Sequence, residues 1–201
     1  MEFIKKQKNC DFRLNIVILG DYFIGKTILS QRINIINKNI SLLPLKYKTT
    51  IASDFIDCSI KIENKIININ VWDCATDDDY CFFFKYKSDI YFFLYDAFAR
   101  KSFEEAKKLY NKLIYHYNNN IYPVNKAKQV YILIRSKYDL NLKSEDYFNN
   151  FVSDEEALKF AEKNNLLFFH ISSFEKNEPG IKELVFFGLK KYLEKNKINI
   201  S

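Results

Sequence analysis

One segment constrains the fold of this chain more than any other: Gly20-Asp21-Tyr22-Phe23-Ile24-Gly25-Lys26-Thr27, which has the form G-x-x-x-x-G-K-[ST]. The apolar run Phe12–Leu19 precedes it and stops at Gly20, as a buried strand does. Lys26–Asn37 then reads as a helix. A turn framed by glycines between a buried strand and a helix N-terminus aims successive backbone N–H groups into one concavity. The helix dipole adds positive potential there, so the geometry cradles phosphate. Lys26 can reach β and γ phosphates, and the Thr27 hydroxyl can ligate Mg²⁺. The bland alternative is a chance match in an ordinary strand–turn–helix, and the flanking strand and helix argue against it. The motif alone does not choose between ATP and GTP.

Strand and helix patterns alternate downstream. Phe55–Ile62 and Lys65–Val71 read as two strands joined near Glu63-Asn64, the second with Ile67, Ile69 and Val71 on one side and Asn68 and Asn70 on the other. Asp89–Tyr95 is a continuous apolar run, as a central strand requires. Ser102-Phe103-Glu104-Glu105 offers a capping box for a helix to about Tyr117. Gln129–Ile134 and Leu166–Ile171 read as further strands. Between them, Ser153-Asp154-Glu155-Glu156 caps a helix ending near Asn164-Asn165. After Pro179-Gly180, residues Ile181, Leu184, Val185, Gly188, Leu189 and Tyr192 trace one helical face. Segments 38–49, 119–128 and 141–152 read as loops. The order predicts an α/β fold with a mostly parallel sheet and helices on both faces. We expect one domain over 1–201, its core about 12–193 and a short polar tail at 194–201.

Bulk properties narrow the function classes. With 201 residues, 48% of them hydrophobic, the chain can bury a sizeable core, and no apolar run nears the roughly 18 residues a membrane span needs. Cys10, Cys58, Cys74 and Cys81 never fall at C-x-x-C spacing, so free thiols are expected rather than zinc or redox chemistry. His116 and His170 lack an evident partner for nucleophilic catalysis. The formal charge is +6, but the lysines are scattered, so no nucleic-acid partner is expected.

The remaining motifs give the chain a family likeness. Tyr47-Lys48-Thr49-Thr50-Ile51-Ala52-Ser53-Asp54-Phe55 is similar to the Y-K-x-T-I-G-x-D-F effector segment of Rab small GTPases, in the form closest to late-endosomal Rabs. Val71-Trp72-Asp73-Cys74-Ala75 resembles W-D-T-A-G-Q-E. Tyr95-Asp96 with Lys101-Ser102-Phe103 resembles Y-D-x-x-x-x-x-S-F. Leu133–Leu140 resembles L-x-G-N-K-x-D-L, and Ile171-Ser172-Ser173-Phe174 stands where the family has T-S-A-K. The likeness runs from about Phe12 to Tyr192 and implies a Ras-like P-loop fold binding GTP or GDP with Mg²⁺. It implies that Gly20–Thr27 hold the phosphates, that Thr27 and Thr50 ligate the metal, and that Asp73 contacts it through water. Asp139 would accept hydrogen bonds from guanine N1 and N2, a donor pair that adenine lacks, and Lys137 would lie along the base. Ser136, Ser172, Ser173 and Phe174 fall at the other base-contacting positions.

Departures from the family pattern cluster at these positions. Thr76 replaces the glycine whose N–H swings toward the γ phosphate, and Asp77 stands at the water-orienting glutamine position, followed by Asp78 and Asp79. Tyr22 and Phe23 put bulk where the family has small residues, which crowds the γ phosphate and blocks an incoming arginine. If Phe23 needs positive φ, strain adds about 1 kcal/mol. Ser136 replaces asparagine at a cost of roughly 1 kcal/mol in lost hydrogen bonding. Phe174 replaces a lysine, and Lys38 stands where an aromatic is usual. The stretch from Lys26 to Thr50 is longer than the family norm.

The expectation is a Rab-like switch protein in vesicle transport with weak or absent intrinsic hydrolysis, meeting effectors through its two switch segments. The alternatives are a competent GTPase completed by a partner, a nucleotide-free scaffold, and, remotely, an ATP enzyme. Glu2 excludes N-myristoylation and Asn199-Ile200-Ser201 offers no cysteine for prenylation, so the chain is expected in the cytoplasm, reaching endomembranes only through partners.

Overall fold

The structure, a computed structural model, describes residues 1–38, 53–74, 88–119, 128–137, 150–172 and 179–199. In chain order its elements are β1 (Glu2–Ile4), β2 (Phe12–Gly20), α1 (Lys26–Lys38), β3 (Ser53–Ile62), β4 (Lys65–Cys74), β5 (Ile90–Asp96), α2 (Arg100–Asn118), β6 (Val130–Ser136), α3 (Asp154–Lys163), β7 (Leu167–His170) and α4 (Pro179–Lys195). The strands form one sheet in the order β1-β3-β4-β2-β5-β6-β7. β4, β2, β5, β6 and β7 run parallel, while β3 pairs antiparallel with both β4 and β1.

Every residue of β5 is buried, as a strand covered on both faces must be. Its side chains alternate between two cores. Ile90, Phe92 and Leu94 join Leu14, Ile16 and Ile18 of β2 under α1 and α4. Tyr91, Phe93 and Tyr95 join Val17 and Leu19 under α2 and α3. In β4, Ile67, Ile69 and Val71 face the first core, as their alternation predicts. The face expected for α4 is buried at Ile181, Leu184, Val185, Gly188 and Leu189; Tyr192 is half-buried and the face continues to Leu193.

Three local readings change. Ser102 does not cap α2. The helix starts at Arg100 with Ala99 as its N-cap and no side-chain cap. Ser102 lies in the first turn, where its hydroxyl reaches the Ala99 carbonyl at 2.7 Å and accepts from the Asp96 N–H at 2.9 Å. At α3 the box forms by half: Ser153 Oγ accepts from the Glu156 N–H, but the Glu156 carboxylate turns to Arg100 instead of back to Ser153. The third change is β1, which extends the sheet upstream of the expected core. Glu2, Phe3 and Ile4 pair with Lys61, Ile60 and Ser59, and Phe3 stacks on Phe186 of α4. At the other end α4 runs to Lys195, and Ile198 packs against the core. Lys38 ends α1 rather than opening a loop, and the rest of the expected loops at 39–49, 120–127 and 141–149 lies outside the described residues.

Candidate functional site

The parallel strands bring their carboxyl ends to one rim of the sheet, the position at which open α/β sheets bind ligands. Gly20 ends β2, Asp73 lies one residue from the end of β4, Asp96 ends β5, and Ser136 ends β6. The loop from Gly20 to Lys26 rises at the centre of this rim.

Its backbone explains both glycines. Gly20 has φ 148°, and a Cβ there would stand 2.5 Å from the Leu94 carbonyl oxygen and also meet Ile24. Gly25 has open space around it but φ 100°, so conformation rather than room requires glycine. Ile24 is buried in the core beneath the loop and anchors it. Phe23 has φ 58°, so the condition for strain is met, and it projects outward with 85% of its surface exposed. The Gly25 carbonyl accepts from Leu29 N–H, the first bond of α1. The loop thus ends on a helix N-terminus, where N–H groups favour an anion.

Lys26 is buried. Its ammonium donates to the carbonyls of Gly20 (3.0 Å) and Asp21 (2.7 Å), which fold it back along the loop. The Thr27 hydroxyl donates to Asp73 Oδ2 at 2.6 Å, and Asp73 is 1% exposed. A hydroxyl and a carboxylate oxygen converging beside a phosphate cradle are hard donors that fit Mg²⁺, which keeps several waters and takes few protein ligands. No group of three His, Cys, Asp or Glu able to hold a metal occurs among the described residues.

The residues expected to meet the base lie at the end of β6. Ser136 is buried, and its hydroxyl donates to the Tyr95 carbonyl across the β5–β6 pair at 2.9 Å. It is turned into the sheet. Lys137 has φ 55°, and its ammonium meets Asp96 Oδ2 at 2.8 Å. Asp96 Oδ1 accepts from the Phe98 N–H, so this carboxylate is held from two sides. In sequence, Asp96 stands out only as part of the Tyr95-Asp96 motif. Its role beside Lys137 follows from the strand register, which sets Asp96 opposite Ser136. Ser172 is half-buried just beyond β7. Thr50, Thr76, Asp77, Asp139, Ser173 and Phe174 lie outside the described residues. Cys10 and Cys58 are free thiols, and burial pushes the Cys58 thiol up to about 12.

Comparison with known proteins agrees with this geometry. The Ras family model matches residues 15–193. The Ras-related protein RABG3b of Arabidopsis thaliana is 28% identical over 167 residues, 81% of this chain and 75% of that protein. The Ras-related protein Rab11B of Nicotiana tabacum is 27% identical over 179 residues, 85% of this chain and 71% of that protein. The Ras-related protein Rab7 of Glycine max is 26% identical, with 81% of this chain and 74% of that protein covered.

Proposed function

Because this chain belongs to the Ras family, as a divergent Rab-like member, we propose that it is a guanine-nucleotide-binding switch acting in vesicle transport, with weak or absent intrinsic hydrolysis. The observation that carries the binding reading is one assembly. A loop opened by Gly20 and Gly25, the buried Lys26 ammonium and the Thr27–Asp73 pair meet at the carboxyl rim of a parallel sheet.

Each residue has a task. The backbone N–H groups of the loop and of the first turn of α1 neutralise phosphate oxygens. Lys26 reaches the β and γ phosphates, held by two carbonyls so that little ordering remains on binding. Thr27 and Asp73 would hold Mg²⁺, which would supply positive charge to offset that of the phosphates. Thr50 would join it in the GTP form, and Asp139 would select guanine. Ser136 contributes less to the base than the family asparagine, since its hydroxyl is bonded within the sheet.

Hydrolysis needs an oriented water and a stabilised γ phosphate. Thr76 and Asp77 supply neither the mobile glycine nor the amide of the family, and Asp77 would carry negative charge toward a polyphosphate. The switch would therefore persist in its GTP form and act by presenting its switch segments to effectors. The intact Lys26, Thr27 and Asp73 favour one second reading, a competent GTPase whose missing groups come from a partner. No helix among the described residues is long and apolar enough to cross a membrane. We place the protein in the cytoplasm, drawn to endomembranes by partners.

The test is to identify the nucleotide that co-purifies with the chain and follow its γ phosphate in time. Persistent GTP supports the switch without turnover. GDP with turnover supports the second reading, and an empty site overturns both.

A further inference from the structure

Tyr22 occupies a position where the Rab pattern has a small residue, and its surroundings give it a task. Its ring centroid lies 5.8 Å from the Lys26 ammonium, within the range of a cation–π contact. The Tyr22 N–H donates to the Asp21 side chain at 2.8 Å, so the ring is carried on a fixed turn. Phe23 follows with its ring 6.4 Å away, tilted by 45°, and its left-handed backbone sends it outward. Lys26 already has the Gly20 and Asp21 carbonyls on its inner side. The ring adds a π face to the same ammonium, and 41% of Tyr22 stays in solvent. The loop thus carries an aromatic ring at the lysine that would grip the phosphates.

We propose that Tyr22 is a positioning residue that acts through Lys26. Its ring holds the ammonium over the phosphate cradle and thereby slows release of bound nucleotide. The inference rests on the nucleotide-binding reading above. It differs from crowding of the γ phosphate, because the contact is with Lys26 and applies to GDP as well as GTP. The π face does the work; the phenol hydroxyl and bulk alone do not.

Release of a fluorescent GDP analogue, loaded onto the full chain with Mg²⁺ and chased with excess GDP, tests this. Wild type, Tyr22→Phe, Tyr22→Ala and Tyr22→Leu are compared, with thermal unfolding of each as a folding control. Tyr22→Phe keeps the ring and should release within about twofold of wild type. Tyr22→Ala and Tyr22→Leu should release about three- to fivefold faster, the range expected for one exposed cation–π contact. Unchanged release from Tyr22→Ala, or a Tyr22→Leu that matches wild type, overturns the role of Tyr22 while leaving nucleotide binding intact. Wild type that retains no analogue overturns the binding reading itself, and this inference with it.

Discussion

The Thr27 hydroxyl donates to the Asp73 carboxylate at 2.6 Å, which joins the first turn of α1 to the end of β4. These residues are 46 apart in sequence. They meet because β2 and β4 pair in parallel, Ile18 opposite Asp73, so both strands deliver their carboxyl ends to one place. The pair is a structural bond and the proposed magnesium site at once.

Two consequences follow for Thr27→Ala. In the nucleotide-free protein it deprives a buried carboxylate of this donor, at a cost of about 1–3 kcal/mol in urea unfolding. In the loaded protein it would remove a proposed metal ligand, so affinity for GDP in Mg²⁺ should fall to the level wild type has in EDTA. Thr27→Ser keeps the hydroxyl and should restore both. A Thr27→Ala protein that binds GDP in Mg²⁺ like wild type would sink the metal assignment.

Phe23 gives a prediction of the opposite sign. Its side chain is 85% exposed, so its removal forfeits little burial, while φ 58° is strained for any residue with a Cβ. Phe23→Gly should stabilise the protein by about 1 kcal/mol, the strain released less part of glycine's entropy cost. Denaturant midpoints would register this, and a loss of stability would contradict it.

A buried polar network closes the other end of the β5 and β6 strands. The Tyr91 and Tyr117 hydroxyls lie 2.6 Å apart, Ser88 N–H donates to Tyr91, and the Gln129 amide donates to Tyr117. Burial pushes the Tyr117 phenol up to about 12, so it stays neutral and able to donate. Gln129→Leu should cost about 1–3 kcal/mol by stranding its partners. Nucleotide affinity should be unchanged, because the network is at the opposite rim from Gly20. Calorimetric titration of this variant with GDP, beside its unfolding curve, separates the two effects.

Acid should loosen the link between α2 and α3. Arg100 donates to both Glu156 oxygens, at 2.8 and 2.9 Å, and to the Phe151 carbonyl at 2.7 Å. The guanidinium hydrogen bonds hold the Glu156 carboxyl below its ordinary value of 4.5. A depressed folded value means the contribution is present above 4.5 and is lost as pH falls through the lower folded value. The pair is partly exposed, so the effect is small. Melting temperatures of wild type and Glu156→Gln should differ at neutral pH and converge in acid. A gap independent of pH would count against the pair.

Much of this was legible in the sequence, for physical reasons that differ by element. β5 is a run of seven residues buried on both faces, so composition alone marks it. The loop from Gly20 to Thr27 is legible because its backbone demands glycine at two fixed places and its chemistry demands Lys26 and Thr27. β1 was not legible. Glu2, Phe3 and Ile4 are too short to carry a period, and they form a strand only because the edge of β3, some 60 residues away, pairs with them. The start of α2 departs from the capping-box expectation for a related reason. Ser102 has a capping residue's chemistry, but the Asp96 N–H and the Ala99 carbonyl take up its hydroxyl. The Lys137–Asp96 pair spans 41 residues and depends on strand register, which no local pattern encodes.

Catalysis is where this chain should depart from its family. Single-turnover hydrolysis of bound GTP should run no faster than on the order of 10⁻⁴ per second. Asp77→Gln, and Thr76→Gly with Asp77→Gln, should raise it if those two positions hold the defect. Wild type that turns over several times per minute unaided would refute the weak-hydrolysis reading. A double variant that gains nothing would shift the defect to Tyr22, Phe23 or the long segment before Thr50.

The central claim is that this chain holds guanine nucleotides through Lys26, Thr27, Asp73 and Asp139 with magnesium. Isothermal titration of the nucleotide-stripped protein with GTP, GDP and ATP, each with Mg²⁺ and with EDTA, measures it most directly. GTP and GDP should bind in Mg²⁺, both should weaken in EDTA, and ATP should bind far more weakly. Equal affinity for ATP, or no binding of any nucleotide at millimolar concentration, would contradict it.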